Sequence, residues 1–252
     1  MSTRTVTDSL ALGAPARIDR PAMLQRWTQL SFVHWAYEPE AVQGILPPEL
    51  AVDPFDGAAW VGLIPFRLAI RRPGVPYVPW LSRFAETNLR TYVIGPDGRR
   101  GIWFLSLDAA RFAAVAVARS SYRLPYMWAD AAIRTRHDTI RSLGTRRWPA
   151  PSATYDLTLR IGASVDRPSE LERFWTARWH LFSPAPQPLP PRRIELDVTT
   201  VAHPPWPLHR AEVVALEETL LRASGLPEPS GAPVALYSPG VSTRFAPRVR
   251  IG

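Results

Sequence analysis

The sequence predicts a mainly β protein with a few short helices, and three observations carry that prediction. The 28 prolines and 14 glycines in 252 residues punctuate the chain too often for a helix bundle, because proline breaks helix interiors and is confined to turns and sheet edges. A hydrophobic fraction of 46% that includes 10 Trp, 7 Tyr and 9 Phe supplies a substantial core and excludes global disorder. Aromatic and β-branched residues recur in short runs bounded by Gly, Pro and Asp turns. The length suits one large unit: residues 1–20, small, polar and unpatterned, read as a disordered leader, and residues 21–252 as one domain.

Taken in order, Trp27 to Tyr37 reads as a strand, and Glu38 to Leu46 as a short helix stopped by Pro47-Pro48. After the turn-like Asp53-Pro54-Phe55-Asp56-Gly57, residues Ala58 to Ile70 form a second apolar strand. Arg71 to Trp80, with three prolines, is a loop. Phe84 to Ile94 and Gly101 to Asp108 make a hairpin around Gly95-Pro96-Asp97-Gly98. Alanine-rich Ala109 to Arg119 suits a helix. Strands follow at Leu124 to Thr135, 137–143 and 153–163. Ser169 to Trp175 reads as a short helix capped by Ser169, with Glu170 and Glu172 favourable in its first turn. Proline-rich connections occupy Ser183 to Pro191 and Pro204 to Pro207. Glu212 to Ala223 is read as a helix, since Val213, Leu216 and Leu220 share a helical face and Gly225 then Pro227 end it. Ala232 to Ile251 returns as strands.

Several function classes are excluded or disfavoured. All 30 basic residues are arginines, so no lysine amine exists to form a Schiff base. Without cysteine there is no disulfide and no thiolate nucleophile, which fits a reducing compartment. No apolar stretch is long enough to span a membrane as a helix, and a cytoplasmic location is expected. The net charge of +8 invites a nucleic-acid reading, but the arginines are scattered and form no basic stripe. Nucleophile-elbow, phosphate-loop and dinucleotide motifs are absent. The five histidines lack metal-site spacing, so neither a metal nor a cofactor is expected. Of the five, His34, beside Trp35, is the one placed as a candidate cavity residue.

Side chains alternate across a strand, so Phe84, Glu86, Asn88, Arg90 and Tyr92 share one face and Ala85, Thr87, Leu89, Thr91 and Val93 the other. An acid, an amide and a guanidinium bracketed by aromatics either face water, with a weak Glu86/Arg90 pair, or line a barrel mouth where they orient a polar ligand. In the second case burial shifts the Glu86 pKa, upward by desolvation or downward by the arginine. Alternation alone leaves both open. Ser106 and Asp108 either extend this polar face or cap the helix that follows.

The run Phe84-Ala-Glu86-Thr-Asn88-Leu-Arg90-Thr-Tyr92, then Gly101-Ile-Trp103-Phe104-Leu-Ser106-Leu107-Asp108-Ala109, then Arg119-Ser-Ser-Tyr122-Arg-Leu124-Pro125-Tyr126, resembles the YqjF-like family of unknown function. His34-Trp35, Leu46-Pro47-Pro48, Phe55-Asp56-Gly57-Ala-Ala-Trp60-Val61-Gly62 and His203-Pro204-Pro205-Trp206-Pro207-Leu208 extend the likeness over most of residues 24–250. That family is grouped with the acetoacetate-decarboxylase-like superfamily. The resemblance implies a cone-shaped antiparallel β barrel or double sheet around a mostly apolar cavity, and puts the Glu86 face inside. In the decarboxylase pattern an acid on a strand is followed by an arginine-containing turn, then by an aromatic-proline-lysine-lysine segment. Glu86 resembles the acid and Arg119 the turn arginine, and Pro125 keeps its place, but Tyr126 and Met127 stand where the two lysines would be. Lysine-based decarboxylation is thereby removed.

Tyr126 shares a strand face with Leu124, Trp128 and Asp130. It is either an amphipathic wall residue or a cavity-facing hydrogen-bond donor beside the aromatic Trp128. The resulting expectation is a small-molecule-binding β barrel. If it is an enzyme, it is a lyase, isomerase or cyclase type with Glu86 moving protons, Tyr126 donating, and Arg90 or Arg119, with Asn88, His34 and Trp128, holding an oxygenated organic ligand. The alternatives are a non-catalytic binder or sensor with the same cavity, and an interaction module displaying its proline-rich loops. The expected partner is a small organic molecule, with neither nucleic acid nor membrane. Self-association is left open.

Overall fold

The structure is a computed structural model and describes residues 17–78, 82–112, 115, 119, 123–185 and 195–251. Most of the expected leader, residues 1–16, lies outside the described residues. So do the end of the Arg71 to Trp80 loop, much of 109–119 and most of Ser183 to Pro191. The strands are β1 (Met23–Tyr37), β2 (Ala51–Val52), β3 (Ala59–Arg71), β4 (Arg83–Ile94), β5 (Arg100–Ala109), β6 (Tyr126–Arg136), β7 (Thr139–Trp148), β8 (Thr154–Ser164), β9 (His180–Pro184), β10 (Leu196–Ala202), β11 (His209–Glu218), β12 (Val234–Phe245) and β13 (Val249–Ile251). Short helices α1 (Pro39–Gln43), α2 (Glu170–Thr176) and α3 (Leu220–Ala223) connect them.

The strands form one sheet in the order β13-β10-β9-β5-β6-β7-β8-β11-β12-β1-β3-β4-β2, and two further pairings close it twice. Pairing of β4 with β5 closes a barrel of nine strands, β4-β5-β6-β7-β8-β11-β12-β1-β3. Pairing of β10 with β12 closes a second ring, β12-β1-β3-β4-β5-β9-β10. The two closures share the wall β12-β1-β3-β4-β5. Neighbouring strands run antiparallel except β5 with β6 and β5 with β9, which are parallel.

The shared wall is covered on both faces, which is why β4 is buried over most of its length. One face sends Val33, Val61, Leu63, Ala85, Leu89 and Val93 into the nine-stranded barrel against Ile140, Leu157 and Leu159. Truncating one such buried leucine to alanine costs about 2–5 kcal/mol. The other face carries Leu30, Phe32, Ile64, Phe66, Phe84 and Tyr92 toward the second ring. In β1 the pairing with β3 shifts between Thr28 and Val33, and Gln29 adopts φ 55. This bulge resets the alternation, so Gln25 and Trp27 lie on the same side as Leu30 and Phe32. Gly240 sits opposite it at φ 127, where a Cβ would come within 2.0 Å of the Trp27 carbonyl oxygen.

Behind the wall, Arg146 reaches Asp108 through Nε and Nη2 at 2.7 and 2.9 Å and donates to Ser106 Oγ at 3.0 Å. Thr87 and Tyr155 hydroxyls meet at 2.5 Å. Ser106 and Asp108 therefore do not extend the Glu86 face. They occupy the opposite side of the sheet, and because β5 continues through Ala109, Asp108 caps no helix.

The helix expected over Glu212 to Ala223 is not formed. Residues His209–Glu218 are strand β11, and only Leu220–Ala223 is helical. The pairing of β11 with β8 shifts between Val213 and Ala215, so Val213 and Leu216, three residues apart, face the same way and imitate a helical stripe. The α2 expectation holds in detail: Ser169 and Glu172 form a reciprocal capping box. Buried Arg178, two residues past α2, bonds Asp53 at 2.5 Å and lies over the Phe174 and Tyr92 rings at 4.0 and 4.7 Å, and Arg100 chelates the same carboxylate. This clamp fixes α2 across one end of the second ring.

Candidate functional site

The second ring encloses a cavity of about 360 Å³ lined by residues from all seven of its strands, within the size range of small-molecule pockets. Its walls are Leu30, Phe32, Ile64, Phe66, Ile102, Phe104, Leu181, Val201, Trp27, Trp206 and Phe245. Across this apolar lining runs the strip Glu86, Asn88, Arg90, with Tyr126 at the start of β6. The side chains two apart on β4 face the same way, and pairing to Phe66 and Ile64 of β3 on one side and Ala109 and Leu107 of β5 on the other holds Glu86 and Asn88 in place. Met23 and Ile70 are half-buried, whereas Leu30, Phe32, Ile64 and Phe66 are buried. The hollow therefore opens at the Met23/Ile70 end and closes beyond Phe32.

Glu86 is 3% exposed, and Oε2 has no hydrogen-bond partner among the described residues. Burial pushes its pKa up to about 8; the Tyr126 hydroxyl, which donates to this carboxyl, opposes the rise, and the Asp108 carboxylate across the sheet adds to it. At neutral pH Glu86 thus carries a proton. The Asn88 side-chain carbonyl oxygen is also buried without a partner among the described residues. Arg90 donates from Nη2 to the Trp175 carbonyl at 2.9 Å, while its buried Nε is unpartnered. Its guanidinium lies 6.0 Å from the Phe32 ring and 5.6 Å from the Tyr92 ring.

The closed end is built from three residues. The imidazole of His34 stacks on Trp175 at 4.5 Å and an interplanar angle of 5°, and Nε2 meets the Tyr92 hydroxyl at 2.6 Å. That hydroxyl donates to the Trp175 carbonyl at 3.2 Å, so His34 Nε2–H is the donor to it. Nδ1 carries the bare lone pair and has no partner among the described residues. Desolvation, then the charge of Arg90, hold the His34 pKa well below the ordinary range, and the ring is neutral.

The structure brings Glu86, Asn88, Arg90 and Tyr126 together on one hollow, and separates the other expected residues from it. His34 lies on the same wall face but behind Phe32, sealed by Trp175 and Tyr92. Arg119 donates to the Tyr126 carbonyl at 2.6 Å and sits 5.0 Å from the Trp148 ring; it faces a shallow outer depression with Arg123 and Pro125. Trp128 is 36% exposed and packs on Phe112 at 5.6 Å. It shares the parity of Tyr126, but the β5–β6 pairing ends at Ala109–Trp128, so beyond that point the face opens outward. Sequence reasoning missed the end-closing role of Trp175 and the Arg146 partner of Asp108. Tyr92 was on the right face by alternation, but its bond to His34 joins residues 58 apart in sequence. Among the described residues no group of three or more His, Cys, Asp or Glu could hold a metal, and no helix is long and apolar enough to cross a membrane.

A doubly closed sheet around a mostly apolar hollow crossed by a polar strip defines an acetoacetate-decarboxylase-like β barrel, and solved structures agree. An acetoacetate decarboxylase-like enzyme from Sphingomonas wittichii RW1 superposes with a TM-score of 0.62 at 15% identity, covering 94% of this chain and 96% of that one. Acetoacetate decarboxylase from Legionella pneumophila gives 0.61 at 15% identity, covering 94% and 92%. The enduracididine biosynthesis enzyme MppR complexed with pyruvate gives 0.66 at 13%, covering 94% and 93%. The chain belongs to the DUF2071 family, described as an uncharacterized conserved protein, whose model matches residues 24–242. It is 30% identical over 227 residues to the uncharacterized protein YqjF of Bacillus subtilis strain 168, covering 89% of this chain and 90% of that protein.

Proposed function

We propose that the hollow binds a small organic molecule bearing a carboxylate or carbonyl oxygen, and that the protein is an acid–base enzyme of lyase or isomerase type that works without a Schiff-base lysine. The observation that carries this reading is the Glu86 carboxyl, buried in an apolar hollow, with one oxygen unpartnered among the described residues and a pKa of about 8. A carboxyl so poised exchanges its proton near neutral pH, where an ordinary glutamate stays ionised. Glu86 gives its proton to a substrate oxygen or carbon, and the carboxylate left behind, stabilised by the Tyr126 hydroxyl, takes one back. Arg90 and Asn88 line the same hollow, and the guanidinium and the amide N–H hold the oxygen on which negative charge develops. That MppR, similar in fold, holds pyruvate supports an oxygenated substrate. A cytoplasmic location accords with the chain's lack of cysteine.

The test is proton exchange. A panel of 2-oxo and 3-oxo acids is incubated with the protein in D₂O, and loss of the α-proton signal is followed by NMR. Exchange above buffer, abolished in Glu86→Gln while the acids still bind, is the expected result. Binding with no exchange for any acid identifies a binder or sensor instead and overturns the enzymatic reading.

A further inference from the structure

Resting on the anion-binding reading above, the size, lining and charge of the hollow define what it takes. Arg90 is the deep cation of the hollow, and no carboxylate pairs with it among the described residues. Its contacts are the Trp175 carbonyl, a long bond to the Tyr92 hydroxyl at 3.4 Å, and the faces of Phe32 and Tyr92. Glu86, the one acid among the described lining residues, stands four residues away on the same strand and does not neutralise it. A half-buried cation without a counterion carries a desolvation cost, so the deep end accommodates one negative charge.

Besides the strip and Tyr126, the described lining includes Gln25, Thr199 and Arg248, whose guanidinium lies 3.8 Å from the Asp197 carboxylate; the rest is apolar or aromatic. Trp27 packs edge-on with Phe66 and Phe245, both at 6.0 Å, and lies parallel to Trp206 at 5.9 Å, while Phe32 meets Trp206 edge-on at 5.2 Å. These rings hold one another in position, so the slot exists before a ligand arrives. At the ~30 Å³ that one water occupies in the liquid, the cavity of about 360 Å³ holds roughly a dozen non-hydrogen atoms. A two- to four-carbon acid leaves most of that apolar wall uncovered.

We infer that the ligand is a hydrophobic monocarboxylate, its carboxylate at Arg90 and Asn88 and a phenyl-sized apolar body against the Trp27, Phe66 and Trp206 rings toward the mouth. The experiment is a titration of the full-length protein, by calorimetry or ligand-observed NMR, with 3-phenylpropanoate, propanoate and uncharged 3-phenylpropan-1-ol. 3-Phenylpropanoate should bind on the order of 100-fold more tightly than propanoate, the effect of burying a phenyl-sized group, and more tightly than the alcohol. Arg90→Gln should weaken the acid at least about tenfold and leave the alcohol unchanged. Val201→Phe, which narrows the apolar end without touching the strip, should weaken 3-phenylpropanoate but not propanoate, and serves if Arg90→Gln fails to fold. Equal affinity for the two acids, still dependent on Arg90, overturns this inference alone. Loss of neither acid in a folded Arg90→Gln, or no binding of any acid, overturns the anion site itself.

Discussion

Replacing Glu86 with glutamine should change how the stability of the protein depends on pH, and the change can be worked out from the buried carboxyl. Its pKa rises from 4.5, the ordinary value expected in the unfolded chain, to about 8 in the fold. Below pH 4.5 both states hold the proton and the group is neutral to stability. Between pH 4.5 and pH 8 the folded state keeps its proton while the unfolded chain releases it, so stability falls as pH rises. Above pH 8 both are ionised and the fall stops. At 1.36 kcal/mol per unit, a shift of about 3.5 units makes the wild type lose as much as about 5 kcal/mol across that window, from this one group. Glutamine has nearly the same shape and does not titrate. The variant should therefore match the wild type within about 1 kcal/mol at pH 5 and exceed it by several kcal/mol at pH 8.5. Urea unfolding followed by tryptophan fluorescence at both pH values measures this, and the comparison cancels the titrations the two proteins share. Parallel stability curves, with a constant difference from pH 5 to pH 8.5, would refute the claim that Glu86 is buried as the acid.

The Tyr126 hydroxyl lowers the Glu86 pKa against the effect of burial, so Tyr126→Phe should move the Glu86 midpoint upward from about 8, read as a ¹³C carboxyl titration; a downward move would contradict the bond. Arg146→Met leaves Asp108 as a buried, unpaired charge and should cost about 3–5 kcal/mol. Adding Asp108→Leu should restore most of it, and if it does not, the pair is not the source of the loss. Gly62→Ala would put a methyl 2.6 Å from His34 Nε2, on a ring pinned between Trp175 and Tyr92, and should lower stability by about 1–3 kcal/mol, seen in thermal melting. An unchanged melting temperature would mean that the His34 plug is looser than its geometry indicates.

Much of the architecture was legible because it rests on local rules. Proline and glycine density excluded a bundle, the Gly95-Pro96-Asp97-Gly98 turn marked the β4–β5 hairpin, and Ser169, followed by Glu170 and Glu172, marked the cap and first turn of α2. Strict alternation on β4 grouped Glu86, Asn88, Arg90 and Tyr92 correctly, but which face was inside depended on strands distant in sequence, and only the family resemblance put the Glu86 side inward. What failed, failed at irregularities. The extra residue at Val213/Ala215 turned a strand pattern into an apparent helix. The end of the β5–β6 pairing turned Trp128 outward although its parity was right. Arg146, 38 residues from Asp108, and Trp175 on a separate helix could not be paired by any local periodicity.

The double closure explains how one strand can serve both stability and chemistry. On the barrel side of β4, Thr87 bonds Tyr155, Thr91 donates to the Trp60 carbonyl at 2.9 Å, and Asp108 of the adjoining strand is locked by Arg146. These polar groups satisfy one another inside a close-packed core, and each holds the backbone from which the hollow-facing groups project. On the other side Glu86, Asn88 and Arg90 keep polar atoms unpartnered among the described residues, an arrangement costly in a packed interior and suited to a site that receives a ligand. A loosely held strand would let Glu86 swing toward the mouth and ionise like any surface carboxylate. The solid face is therefore what keeps the carboxyl desolvated, and perturbations of Arg146 or Tyr155 should reach the pKa of Glu86 without touching the hollow.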